Sequence, residues 1–155
     1  MAIIRSLMKT EMITVKPDDS VAEAAGLMAQ NQIGAVLVVE GGAMKGIVSE
    51  RDVVTRVVAE GKDPSATKVS EISTEAVVDV DVNTPVRKCA ELQSAMGVRH
   101  LPITENGAPV GILSSRDFLV YVVEGLEQVI DKSGYEDALG KGEDPYDHMG
   151  GSYGK

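Results

Sequence analysis

With 155 residues, 43% of them hydrophobic, the chain can bury one substantial core or two small ones that share an interface. A net charge of −9 with scattered basic residues sets aside a nonspecific nucleic-acid binder, which needs a basic stripe, and no apolar run approaches the ~20 residues that span a bilayer. Cys89 is the single cysteine, so no internal disulfide can form. The start of the chain, acidic at Glu11, does not read as a secretory signal, and the expectation is a reduced, cytoplasmic protein without membrane or nucleic-acid partners. The acidic excess is uneven, with eight acids against three lysines from Glu124 onward. The rest is only mildly acidic, which leaves room for a local basic pocket that takes a small anion.

In chain order, IIRSLM is a short lead-in turn and MITV a short strand. PDDS opens a helix on which Val21, Ala24, Ala25 and Met28 fall at helical spacing. AVLVVE predicts a strand, GGAMK a glycine turn and GIVS the returning strand of a hairpin. RDVVTRVVAEG is a second helix, and EGKDPSATK a linker. VSEIS then repeats the lead-in, VVDV the first strand, NTP the helix start, HLPITE and GILS the hairpin around NGAPV, and RDFLVYVVEG the second helix. An offset of 65 residues aligns Val15 with Val80, Val21 with Val86, Leu27 with Leu92, Gly46 with Gly111 and Val58 with Val123 without a gap. Residues 13–58 and their counterparts share 14 identities, where chance gives about three, so the chain contains an internal duplication.

The expected fold class is therefore α/β (α+β), two β-α-β-β-α repeats. Each sheet is small enough to leave one bare face, and packing the copies with pseudo-twofold symmetry into one module covers it. Residues 1–66 form the first repeat with its lead-in and linker, 67–131 the second, and 132–155 an acidic, glycine-rich tail. That tail has the composition of a disordered segment, which contacts of Tyr135, Tyr146 and Tyr153 with a neighbouring chain or its own module would order.

The two most similar stretches are GIVSERD, residues 46–52, and GILSSRD, residues 111–117. One reading is helix capping, with Ser49 or Ser114 as N-cap and Asp52 or Asp117 as the N3 acid. Capping does not ask for the arginine that precedes the acid in both copies, and its commoner N3 residue is Glu or Gln. The other reading is a ligand site. A short carboxylate accepts two hydrogen bonds from a ribose diol, a hydroxyl and free helix-terminal amides suit the adjoining phosphate, and arginine supplies a forked cationic donor. An empty site could still be capped by the same residues. For catalysis the sequence offers no nucleophile with a duplicated histidine, no Walker-type loop and no metal-ligand cluster. Cys89 matches Ala24 on a buried helix face and reads as an inert core thiol, and His148 lies in the tail without a ligand partner.

TVKPDDSVAEAAGLM, GAVLVV, GIVSERDVV, TPVRKCAELQ, VRHLPI and GILSSRDF together resemble a tandem pair of CBS domains, or Bateman module, over residues 4–125. The resemblance implies a regulatory module that binds adenosine nucleotides in two composite clefts and alters a partner protein. In one cleft Ser49, Arg51 and Asp52 work with Val77, Val78 and Val98. In the other, Ser114, Arg116 and Asp117 work with Met12, Ile13 and Ile33. Ile47 and Ile112 floor the pockets. Arg99 and His100, which replace Gly34 and Ala35 of the first copy, face the phosphates, so the clefts are unequal. Core packing is the alternative for the apolar residues, and a structural hydrogen bond or a surface position for His100.

AMP is the foremost ligand, with ADP, ATP, NADH and S-adenosylmethionine as further candidates. No cofactor is required, no metal is held, and no residue is catalytic. The family implies pairing into flat dimers. A homodimer is also expected from the residues, because Val53, Val54, Val57 and Val58, with Phe118, Leu119, Val122 and Val123, make a stripe wider than one small sheet requires. The competing reading is a ligand-free structural interaction module. A cryptic enzyme ranks last.

Overall fold

Both copies adopt the element order that their apolar periods predict. The structure, a computed structural model, describes residues 4–141. After a 3-10 turn at Ile4–Ser6, the first repeat runs β1 (Thr14–Val15), α1 (Val21–Asn31), β2 (Ala35–Glu40), β3 (Ala43–Ser49) and a short α2 (Glu50–Val53) that continues as a π-turn, Val54–Val58. The second begins with a short helix, α3 (Val69–Ile72), then β4 (Val80–Asp81), α4 (Val86–Met96), β5 (His100–Glu105), β6 (Ala108–Ser114) and α5 (Ser115–Lys141). Each repeat holds one three-stranded sheet, β1-β2-β3 or β4-β5-β6, with a parallel first pair and an antiparallel hairpin.

The duplication extends to fine detail. Both hairpins turn on two residues of positive φ, Gly41-Gly42 and Asn106-Gly107, the conformation that two-residue hairpin loops demand. Both shift register at matching places, Val38/Val39 and Ile103/Thr104. Two compact units divide the chain, Met1–Ser115 and Arg116–Lys155. Both sheets lie in the first, where β3 and β6 are in contact.

Each lead-in serves the opposite copy. The Ile4 amide donates to the Thr84 carbonyl (2.9 Å), and Lys9 exchanges backbone bonds with Ile112 of β6 (3.2 and 3.1 Å). Reciprocally, Val69 donates to the Asp19 carbonyl (2.8 Å), while Thr74 exchanges bonds with Ile47 of β3 (2.9 and 3.1 Å). This crossing explains the glycine that opens both motifs. A Cβ on Gly46 would stand 3.0 Å from the Thr74 carbonyl oxygen, and one on Gly111 2.8 Å from that of Lys9, so any side chain would push the lead-in off its strand.

The core of the first repeat gathers Val15, Val21, Ala24, Met28, Val36, Val38, Val48 and Val57 with Val69 and Ile72 of the second lead-in. At roughly 1.5–3 kcal/mol for each buried aliphatic side chain, the exchanged segment is a structural part of the repeat it joins. Ala25 sits at the margin of this face, only half-buried. Cys89 is buried on α4, and that burial pushes its thiol pKa up, as expected of an inert core thiol.

Two expectations need correction. Val57 does not share an exposed stripe with Val54 and Val58: it is fully buried in the core of the first repeat, with Val53 packed against that core one turn back, while Val54 and Val58 are 57% and 65% exposed on the other face. The second is the tail. α5 runs through residue 131 to Lys141, so the first part of the expected tail is helical. Tyr146, His148 and Tyr153 lie outside the described residues. No helix among the described residues is long and apolar enough to cross a membrane.

Candidate functional site

Where β3 hands over to α2, the chain meets the other repeat and forms a cleft of about 170 Å³. One ordered water needs only ~10–15 Å³ of such space, so the cleft admits a larger ligand. Three segments build it. Ile47, Ser49, Arg51 and Asp52 come from the motif, Thr74, Ala76, Val77 and Val78 from the stretch that leads into β4, and Gly97, Val98, Arg99 and His100 from the turn between α4 and β5. All nine residues expected for the first cleft are brought together. Thr74, Ala76 and Gly97 were missed, and only the crossing of the second lead-in over β3 accounts for Thr74.

The sequence places each group for a local reason. Ser49 is N-cap of α2: the Asp52 amide donates to Ser49 Oγ (3.3 Å), and Asp52 Oδ2 accepts from the Ser49 amide (2.8 Å) and hydroxyl (3.0 Å). A full capping box therefore holds the Asp52 carboxylate, whose side chain is 14% exposed. Its other oxygen, Oδ1, lies 3.5 Å from Arg56 Nη2, one turn on. Arg51 and Arg99 are exposed at the rim, and neither guanidinium has an ion-pair partner among the described residues. Two arginines thus flank the cleft of a protein of net charge −9.

The difference between copies at this point is steric. A Cβ on Gly34 would lie 3.1 Å from His100 Nε2, so the glycine of the first repeat makes room for the histidine of the second. Their backbones remain equivalent: the Glu50 amide donates to the Gly34 carbonyl (3.0 Å) and the Ser115 amide to that of Arg99 (2.8 Å). Two β-α-β-β-α units, each stapled by the other's lead-in, with a capped Ser-x-Arg-Asp at the shared cleft, correspond to a known pattern. The CBS domain family matches residues 4–59 and again 69–124. The chain is a tandem CBS-domain protein.

Among its relatives, the CBS domain-containing protein YhcV of Bacillus subtilis is 35% identical over 120 residues, which cover 77% of this chain and 85% of YhcV. The crystal structure of the CBS-domain containing protein ATU1752 from Agrobacterium tumefaciens superimposes with a TM-score of 0.72 at 33% identity, covering 77% of this chain and 98% of that one. A hexameric CBS-CP12 protein from bloom-forming cyanobacteria has a TM-score of 0.73 at 26% identity and covers 90% of this chain and 86% of its own.

In the second CBS repeat, the expected cleft residues divide between the two compact units. Met12, Ile13, Ile33, Ile112 and Ser114 belong to the first. Ile13 and Ile33 pack against the core of the first repeat, Met12 is half-buried, Ile112 pairs with Lys9, and Ser114 stands opposite His100 in the β5–β6 register. Arg116 and Asp117 belong to the helical unit, where Asp117 lies in the first turn of α5. Among the described residues, no group of three histidine, cysteine or acidic side chains is arranged to hold a metal ion.

Proposed function

We propose that this tandem CBS protein is a cytoplasmic sensor that binds an adenosine nucleotide between its repeats and thereby alters the activity of a partner protein. The observation that carries the reading is the meeting, in one cleft, of two guanidiniums that have no ion-pair partner among the described residues with a capped serine–aspartate pair and a wall of Val77, Val78 and Val98. The arginines and His100 suit phosphate, Asp52 a ribose diol, and the valines a flat base. Few cations serve the cleft, so AMP or ADP should rival or exceed ATP, with NADH and S-adenosylmethionine as further candidates. The reading is of binding rather than turnover: the Ser49 hydroxyl is engaged in the cap, donating to Asp52 Oδ2 and accepting from the Asp52 amide.

Self-association belongs to the same proposal. Leu119, Leu126, Val129 and Ile130 are exposed along α5, and a second copy would cover them. The competing reading, an interaction module that needs no ligand, draws support from the completeness of the Ser49–Asp52 cap.

Calorimetry with AMP, ADP, ATP, NADH and S-adenosylmethionine decides between these readings. Saturating AMP, at 100 times its dissociation constant, should also add about 2.7 kcal/mol to stability and raise the melting temperature by several degrees. Tight binding of ATP with none of AMP would overturn the ranking, and silence across the panel would leave the interaction module.

A further inference from the structure

One cation beside the cleft has no part in the proposed function. Arg56 lies behind the lining residues, in the π-turn Val54–Val58; the matching residues of the second repeat, 119–123, are ordinary α-helix. Single π-turns concentrate at functional sites. The Arg56 guanidinium reaches three groups. Nη2 stands 3.5 Å from Asp52 Oδ1, while Nη1 donates to the Ile72 carbonyl at 2.6 Å and reaches Thr74 Oγ1 at 3.5 Å. Asp52 and Thr74 both line the cleft, from opposite repeats, and Ile72 is the buried anchor of the exchanged lead-in.

The capping box alone does not fix the carboxylate. Both cap hydrogen bonds that Asp52 accepts fall on Oδ2, so the carboxylate plane can still turn about that oxygen. A vicinal diol is read by two donors at fixed spacing, and it discriminates only if the plane of the acceptor is held. Arg56 holds the second oxygen, and its fork ties that oxygen to the lead-in wall through Ile72 and Thr74. The second repeat has Tyr121 at this position and no equivalent cation.

We propose that Arg56 is the positioning residue of the first cleft, fixing the Asp52 carboxylate against the Thr74 wall so that the cleft selects ligands carrying a vicinal diol. This rests on Asp52 being a diol acceptor, and the test separates the two. AMP and 2′-deoxyAMP are titrated by calorimetry into the full chain and into Arg56→Gln and Arg56→Lys, with Asp117→Ala in every protein so that the first cleft dominates. Glutamine can still donate to the Ile72 carbonyl but carries no charge. Lysine keeps the charge and loses the fork.

The parent should prefer AMP. R56Q should lose about fivefold in AMP affinity with little change for 2′-deoxyAMP, and R56K, which keeps the charge beside Asp52 but not the tie to Ile72 and Thr74, should recover only part of the preference. R56Q that folds and keeps the AMP preference overturns the role of Arg56 alone. Equal affinity for both nucleotides in the parent overturns the diol reading of Asp52 and the assignment with it. Failure of both variants to fold, read by melting, makes Arg56 a core residue and overturns the assignment as well.

Discussion

The chain builds the same helix cap twice in its first repeat, once in the open and once in a cleft. At α1, the Glu23 carboxylate accepts from the Ser20 amide (2.8 Å) and hydroxyl (2.9 Å), and the Glu23 amide donates to Ser20 Oγ (3.2 Å). At α2, Ser49 and Asp52 make the same three contacts at 2.8, 3.0 and 3.3 Å. Geometry alone does not tell the two boxes apart, so capping fully explains a serine and an acid three residues on. It does not explain why the cleft box uses the shorter acid, why Arg51 sits inside it, or why Arg56 stands behind it. The comparison teaches that a cap and the proposed ligand site can be one set of atoms, the cap presetting the carboxylate that the proposed nucleotide would use.

Exchanging the acids is the sharpest way to break the comparison. Asp52→Glu preserves a competent N3 acid, so the melting temperature should hold. Its extra methylene would press the carboxylate into a bound ribose, and losing charge-assisted hydrogen bonds worth roughly 1.5–3 kcal/mol each should lower AMP affinity at least about tenfold. Glu23→Asp should leave affinity untouched. Equal affinity in wild type and D52E would reduce GIVSERD to a helix cap.

Removing the hydroxyls has a smaller effect and should divide the two boxes by readout. Ser20→Ala and Ser49→Ala each lose an N-cap worth about 1 kcal/mol, or roughly 2–4 °C in melting temperature for a chain of this size. Only S49A should also weaken nucleotide binding, because only Ser49 lines the cleft. A drop in affinity of the same size in S20A would show that general softening of the fold, and not the site, controls binding.

What the sequence disclosed follows the same division between side-chain and backbone causes. Gly41-Gly42 and Asn106-Gly107 announced their hairpins because few residues tolerate positive φ. The 65-residue repeat carried the order of elements, and the resemblance it supported brought Val77, Val78 and Val98 to the Ser49–Asp52 cleft. The exchange of lead-ins was not legible, since hydrogen bonds between main chains leave no residue signature. Its only trace is the glycine at 46 and 111, needed for close approach. Thr74 was missed for the same reason. Arg56 was missed because two of its partners, Ile72 and Thr74, lie in the lead-in that crosses from the other repeat. α5 continues through Gly134 and Gly140, each of which costs about 1 kcal/mol relative to alanine, to Lys141, whose Nζ pairs with Asp137 at 2.6 Å.

The smallest expected effect concerns pH at the exposed box. Hydrogen bonds from the Ser20 amide, then from its hydroxyl, hold the Glu23 carboxyl below the ordinary glutamate value of 4.5. A folded-state pKa below the unfolded one means that ionised Glu23 favours the folded chain at every pH above the unfolded value, and that this contribution disappears as pH falls through the folded value. Glu23→Gln keeps an acceptor at N3 and removes the titration. Asp18, which Lys68 also holds low, shifts both proteins alike and cancels in their difference. The urea midpoint of wild type should therefore exceed that of E23Q by a constant margin from neutral pH down to about 4.5, and the margin should close below it. A margin unchanged through the carboxylate range would mean that the Ser20 bonds do not distinguish charged from neutral Glu23. The exposed box would then be a purely geometric cap.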